Sequence, residues 1–173
     1  MKNEPGVLTY LTGDATQPQG DGMKFLIHSC NSIGRWNAGF VKALSKRWKL
    51  PERAYLQWAA RVREQNDLMP LGAIQTVVVE ADIKVINIIG QSGVRSADNP
   101  KPVDYGALVD AFDKIAVEAL KLNAAVHCPR LGAGLGGGDW NHIEKLLEVC
   151  FVNKGINVFV YDLPAAKTQK NLF

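Results

Sequence analysis

The segment PRLGAGLGGGDW, Pro129 to Trp140, places five glycines between Gly132 and Gly138, directly after the apolar run Ala124 to Cys128 and directly before a helical pattern. At such a junction main-chain N–H groups can converge on an anion. Glycine permits positive φ and removes the Cβ that would hold a phosphate off the backbone, while a helix N-terminus favours negative charge. The stretch lacks the Lys-Ser/Thr that closes a nucleotide P-loop. Its two readings are therefore an unorthodox phosphate cradle and a glycine-rich turn with no ligand.

A second junction has the same logic. In FLIHSCNSIGRWNAGFVKAL a strand runs into the polar group His28 to Ser32, and a glycine-punctuated turn opens a helix. Asn31 can hydrogen-bond a ribose hydroxyl or orient a water, or it can simply brace its own loop as an Asx-type turn. His28 lies near it and can act as an acid or base, although strand histidines are commonly satisfied in the core. Asp14, in TGDATQP, can accept from an exocyclic amine or cap the following turn. Cys30 and Arg35 fall one residue short of the CxxxxxR spacing of cysteine phosphatases, so Cys30 reads as a small buried residue. His127 and Cys128 have no matching second ligand pair, and no metal site is expected. Trp48, Tyr55 and Trp58 fit an apolar helical face rather than a base-stacking platform.

These residues need elements to hold them. Val7 to Tyr10, Phe25 to His28, Ala73 to Val79, Lys84 to Ile89, Ala124 to Cys128 and Ile156 to Tyr161 are short apolar or β-branched runs bounded by turn residues, which predicts six strands. Helical spacing occupies AGFVKALSKRW, PERAYLQWAARVREQ, VDYGALVDAFDKIAVEALKLN and DWNHIEKLLEVCFVNKG, with Asp104 and Asp139 as candidate N-caps and an end near Gly155. The alternation predicts an α/β sandwich that binds ligands where strands pass into loops. Gly93 to Pro102 is the one long polar excursion and is read as a flap.

Composition narrows the classes. A chain of 173 residues that is 47% hydrophobic suits one domain. Twenty Lys+Arg against 17 Asp+Glu leave a net charge of +3, which favours anionic ligands mildly without the basic face of a nucleic-acid binder. Cys30, Cys128 and Cys150 form no CxxC pair, pointing to a reducing cytoplasm. No stretch approaches a membrane span and the N-terminus lacks an apolar leader core, so a soluble protein is expected.

The motifs GDAT, LIHSCNSIGRWNAGFVKAL and CPRLGAGLGGGDW, in this order and separated by strands, resemble the macro domain, the family that binds ADP-ribose. The likeness runs from Val7 to Leu163 and is greatest to the branch holding ADP-ribose 1''-phosphate phosphatases and terminal ADP-ribose protein glycohydrolases. The resemblance implies a single macro domain over residues 1–173, with its core at about 7–163 and a short tail. It implies a three-layer α/β/α sandwich around a mixed six-stranded sheet, with ADP-ribose across the strand ends. Asp14 and, through its backbone, Ala15 would hold the adenine. Asn31, Asn37 and Gly39 would surround the distal ribose, and Gly132, Ala133, Gly134, Leu135, Gly136 and Gly137 would wrap the diphosphate. The glycohydrolases carry a lysine just after the fourth strand and an aspartate in the glycine loop. Here Gly90 and Gln91 stand at the first position and Gly136 at the second, so a lysine-dependent covalent route is not expected. Trp36, Asn37, Ala38 and Gly39 stand where many members have a run of three glycines, and Trp36 either packs on a ribose or covers the sheet edge. The expected ligands are ADP-ribose or its 1''-phosphate, with ADP-ribosylated protein or nucleic acid as alternatives. No cofactor is expected, and the expected activity is hydrolysis at the distal ribose through Asn31, His28 and Gln91, against the alternative of a non-catalytic reader.

Overall fold

The structure is a computed structural model that describes residues 4–165. Six strands, β1 (Leu8–Thr12), β2 (Lys24–Asn31), β3 (Ile74–Glu80), β4 (Ile83–Gln91), β5 (Ala125–Cys128) and β6 (Val158–Asp162), form one sheet in the order β1-β6-β5-β2-β4-β3. All neighbours are parallel except β3, which runs antiparallel to β4. The fold is the α/β sandwich with a mixed six-stranded sheet anticipated from the sequence.

Alternation along the central strands makes the two cores. In β2, Phe25 and Ile27 point to one face and Leu26 and Cys30 to the other; in β4, Ile86 and Ile88 oppose Val85 and Ile89. The first face is covered by α3 (Tyr105–Leu122) and α4 (Trp140–Cys150), whose Leu108, Phe112, Ile115, Ile143 and Leu147 are all fully buried. The second is covered by α1 (Phe40–Arg47) and α2 (Leu50–Glu64) through Val41, Leu44, Tyr55 and Ala59. Each fully buried large side chain contributes about 1.5–3 kcal/mol relative to exposure. Among the described residues no helix is long and apolar enough to cross a membrane.

Helix ends follow local chemistry. Asp104 caps α3 by accepting from the Ala107 N–H, and Asp139 caps α4 by accepting from the Asn141 N–H. α4 stops at Cys150 rather than near Gly155, because Phe151 leaves helical geometry and buries its ring 5.2 Å from that of Phe112; a short 3-10 turn, Val152–Lys154, follows. β2 runs three residues beyond His28, since Ser29, Cys30 and Asn31 pair with Ile88, Ile89 and Gln91 of β4. Polar residues persist there because the neighbouring strand, not side-chain burial, satisfies the backbone.

Candidate functional site

The carboxyl ends of β2, β4 and β5 open into one cavity of about 460 Å³, a size ordinary for small-molecule sites. Of the residues singled out in the sequence, His28, Asn31, Asn37, Gly39 and Gln91 line it on one side and Gly132, Gly134, Leu135 and Gly136 on the other. Asp14, Ala15, Ala133 and Gly137 stand outside its lining.

The glycine loop, residues 129–139, is a built structure. Gly132 adopts φ 75°, and a Cβ on Gly136 would lie 2.6 Å from the Gly132 carbonyl oxygen, so the loop folds back on itself only without side chains there. The Gly138 N–H donates to that same oxygen at 2.8 Å, and the Gly136 carbonyl accepts from the Val103 N–H at 3.0 Å. The N–H groups of Gly132, Gly134, Leu135 and Gly136 donate to no protein acceptor among the described residues. A Cβ on Gly134 would meet nothing within 4 Å, so this glycine faces open space.

Across the cavity, α1 follows Gly39 at its N-cap position, with no side-chain cap and no acidic residue in its first turn. The uncapped, positive end of α1 therefore borders the same cavity as the glycine loop with its unbonded amides. Gly39 and Leu135 bring the two loops together: a Cβ on Gly39 would lie 3.2 Å from Leu135 Cδ1. Among the described residues no aspartate or glutamate lines the cavity.

Asn31 does what an Asx-type turn requires. Its Oδ1 accepts from the N–H groups of Ile33 (3.2 Å) and Arg35 (3.0 Å), and its Nδ2 donates to the Arg35 carbonyl at 2.7 Å. The buried Tyr55 hydroxyl donates to the Asn31 main-chain oxygen at 2.6 Å. Tyr55, outside the sequence-derived site, anchors the loop from α2. The side chain expected to orient a water is thus mostly spent on shaping its loop, with one Nδ2 hydrogen to spare.

His28 is held by a network of its own. Asn87 Nδ2 donates to the Pro51 carbonyl and to Gln75 Oε1, which fixes Asn87 Oδ1 as the acceptor for His28 Nε2–H at 2.6 Å. Burial lowers the imidazole pKa to about 4, against a smaller opposing effect of the Asn87 bond. His28 is therefore a neutral core histidine with a fixed tautomer and a weakly basic Nδ1, a poor acid or base near neutral pH. Burial pushes the Cys30 thiol far up, so it is no thiolate. Trp36 is buried and donates to Ser45 Oγ at 2.8 Å, which in turn donates to Glu52; its role is packing. His127 stacks on Phe159 and pairs with the Tyr161 hydroxyl at 2.9 Å.

Asp14 Oδ1 accepts from the Thr16 N–H and hydroxyl, both at 2.8 Å, leaving its second oxygen without a protein donor among the described residues. The Ala15 side chain is buried in the core. The Gly93–Pro102 excursion is tied down at its base, where the Ser92 N–H donates to the Pro102 carbonyl and Asn99 Nδ2 donates to the carbonyls of Ser92 and Val94. It presents Val94 and Arg95 to the cavity.

No protein-family model matches the chain. A macrodomain protein from Streptomyces coelicolor is 44% identical, with a TM-score of 0.77 over 90% of this chain and 99% of that one. The chain belongs to the macrodomain family. A protein of unknown function from Bacteroides thetaiotaomicron is 42% identical to this macrodomain, with a TM-score of 0.84 over 91% of this chain and 99% of that one. The Thermosipho africanus DarTG structure in complex with ADP-ribose shares the macrodomain fold at 17% identity and a TM-score of 0.69, over 96% of this chain and 43% of that one. Chromodomain-helicase-DNA-binding protein 1-like from Mus musculus is 26% identical over 94% of this chain, which spans 18% of that protein's length and 15% of its Danio rerio counterpart's. The ADP-ribose 1''-phosphate phosphatase of Candida albicans is 24% identical over 89% of this macrodomain and 99% of its own length.

Proposed function

We propose that this macrodomain binds ADP-ribose derivatives and hydrolyses the substituent on the distal ribose, an ADP-ribose 1''-phosphate first among them. One observation carries the binding: a glycine loop with four unbonded amides and the uncapped start of α1 line a single cavity, with no carboxylate among the described residues that line it. Such an arrangement offers a pyrophosphate preorganised donors in place of water. In this reading the diphosphate lies over the stretch Gly132 to Gly137, the adenine reaches the free oxygen of Asp14 and the main chain of Ala15, and Asn37 and Gly39 flank the distal ribose. The likeness to DarTG, whose structure is in complex with ADP-ribose, supports the ligand class, and the likeness to the fungal phosphatase supports the reaction.

In the reaction, a water oxygen bonds to phosphorus while the bond from phosphorus to the ribose oxygen breaks, giving ADP-ribose and inorganic phosphate. Gln91, paired with Asn31 at the end of β4, and the spare Nδ2 hydrogen of Asn31 are the neutral groups that position the water. The weak basicity of His28 and the protonated Cys30 favour a second reading, a reader that binds ADP-ribose and turns nothing over. The free, buried cysteines suit a cytoplasmic setting.

Calorimetry with ADP-ribose, followed by phosphate release from the 1''-phosphate and ADP-ribose release from modified protein and modified DNA, tests both steps. Heat with phosphate release supports the phosphatase, and heat with release only from a modified macromolecule supports a de-ADP-ribosylating hydrolase. Heat alone supports the reader, and no heat overturns the ligand class.

A further inference from the structure

Main-chain amides suffice for a pyrophosphate, yet three arginines also line the cavity: Arg35, Arg95 and Arg130. Arg130 is already neutralised. It makes a bidentate pair with Asp162, at 2.6 and 2.9 Å, and its guanidinium lies over the rings of Tyr10 and Trp140. Neither Arg35 nor Arg95 forms an ion pair with a carboxylate among the described residues.

Their placement is specific. Arg35 lies within the β2–α1 loop, and Asn31 grips both its N–H and its carbonyl, so the base of its side chain is fixed. Arg95 follows Gly93, whose N–H donates to Ser32 Oγ at 3.0 Å, stitching the β4–α3 loop to the β2–α1 loop. Both guanidinium groups therefore spring from the β2/β4 end of the cavity, while Arg130 belongs to the β5/β6 end. Both side chains are exposed and solvated in the unliganded protein, and an uncharged sugar, ester or amide at the β2/β4 end would offer neither of them a counter-charge. A dianionic group would satisfy both, and guanidinium forks match phosphate oxygens in geometry as well as charge.

We infer that Arg35 and Arg95 form a charge-selecting subsite that receives a phosphate monoester on the distal ribose and disfavours uncharged substituents. This rests on the ADP-ribose reading, and it assigns substrate choice to two side chains outside the residues assigned above to the adenine and the pyrophosphate.

The test compares ADP-ribose with a non-hydrolysable phosphonate analogue of ADP-ribose 1''-phosphate, by calorimetry on the whole chain at low salt, for wild type, Arg35→Gln, Arg95→Gln and the double variant. Both arginines are exposed, so the substitutions leave the fold intact, as thermal melts will record. Wild type is expected to prefer the phosphonate by at least about tenfold, each single variant to lose much of that preference, and the double variant to bind both ligands alike with ADP-ribose affinity unchanged. Added salt narrows the wild-type preference. A wild type that binds ADP-ribose without preferring the phosphonate, or a double variant that keeps the preference, overturns the subsite alone. A wild type that binds neither overturns the underlying ligand reading as well.

Discussion

Gly134→Val separates the ligand from the fold. A Cβ at position 134 meets nothing within 4 Å, and the backbone there lies outside the left-handed region, so a side chain is sterically free in the unliganded protein. Replacing glycine at a compatible site trims the entropy of the unfolded chain and is worth about 0.4–1 kcal/mol of added stability. The melting temperature should therefore hold or rise slightly. Gly134 lines the cavity, and the added side chain is expected to compete for the space beside the amides of Gly134, Leu135 and Gly136, where the pyrophosphate is proposed to lie. Displacing two charge-assisted hydrogen bonds, at about 1.5–3 kcal/mol each, costs at least about 3 kcal/mol, or roughly 100-fold in Kd. Gly136→Val is the contrasting control: its Cβ would sit 2.6 Å from the Gly132 carbonyl oxygen, so it must lose stability along with binding. Calorimetry with ADP-ribose and unliganded thermal melts read both quantities. If Gly134→Val melts like wild type and binds ADP-ribose like wild type, the anion does not rest on this loop and the assignment fails.

Asn31→Ala removes three side-chain hydrogen bonds to its own loop, each worth about 1 kcal/mol, and should lower the melting temperature by several degrees as well as weakening ADP-ribose binding; unchanged melting would show that the loop holds itself. Stability should fall on acidification. Burial lowers both His28 and His127 to about 4, below the ordinary 6.5 of the unfolded chain, so the unfolded state alone takes up protons between those values. The contribution is complete above pH 6.5 and declines towards pH 4, reaching a loss of about 2 kcal/mol per imidazole by pH 5. Urea unfolding at pH 7.5 and pH 5 measures it, and equal stabilities would mean that the imidazoles are not held neutral. Asp139→Ala should cost about 1 kcal/mol through its lost N-cap while sparing any turnover; a collapse of turnover with normal ligand binding would instead give this carboxylate a chemical role.

What could be read from the sequence was local, and what could not be read was held by distant partners. The strands announced themselves because each is a short β-branched or apolar run between turn residues, and the caps Asp104 and Asp139 because a cap bonds within its own turn. The glycine loop was legible for the same reason, since its shape depends on glycines that crowd one another over a few residues. The end of β2 was not, because its polar residues are kept extended by β4, some 60 positions on. Nor was the state of His28, which depends on Asn87, itself committed to Pro51 and Gln75. Asn31 stood between the two cases: its Asx turn is local and was one of two readings, but the Tyr55 anchor comes from α2. The arginines carry the same lesson into specificity. Arg130 and Arg35 look alike as sequence, yet Asp162 pairs with one and no carboxylate among the described residues pairs with the other. A backbone cradle can be read from composition and order, whereas the charge left over for a substrate is set only when the chain closes and decides which cations find partners.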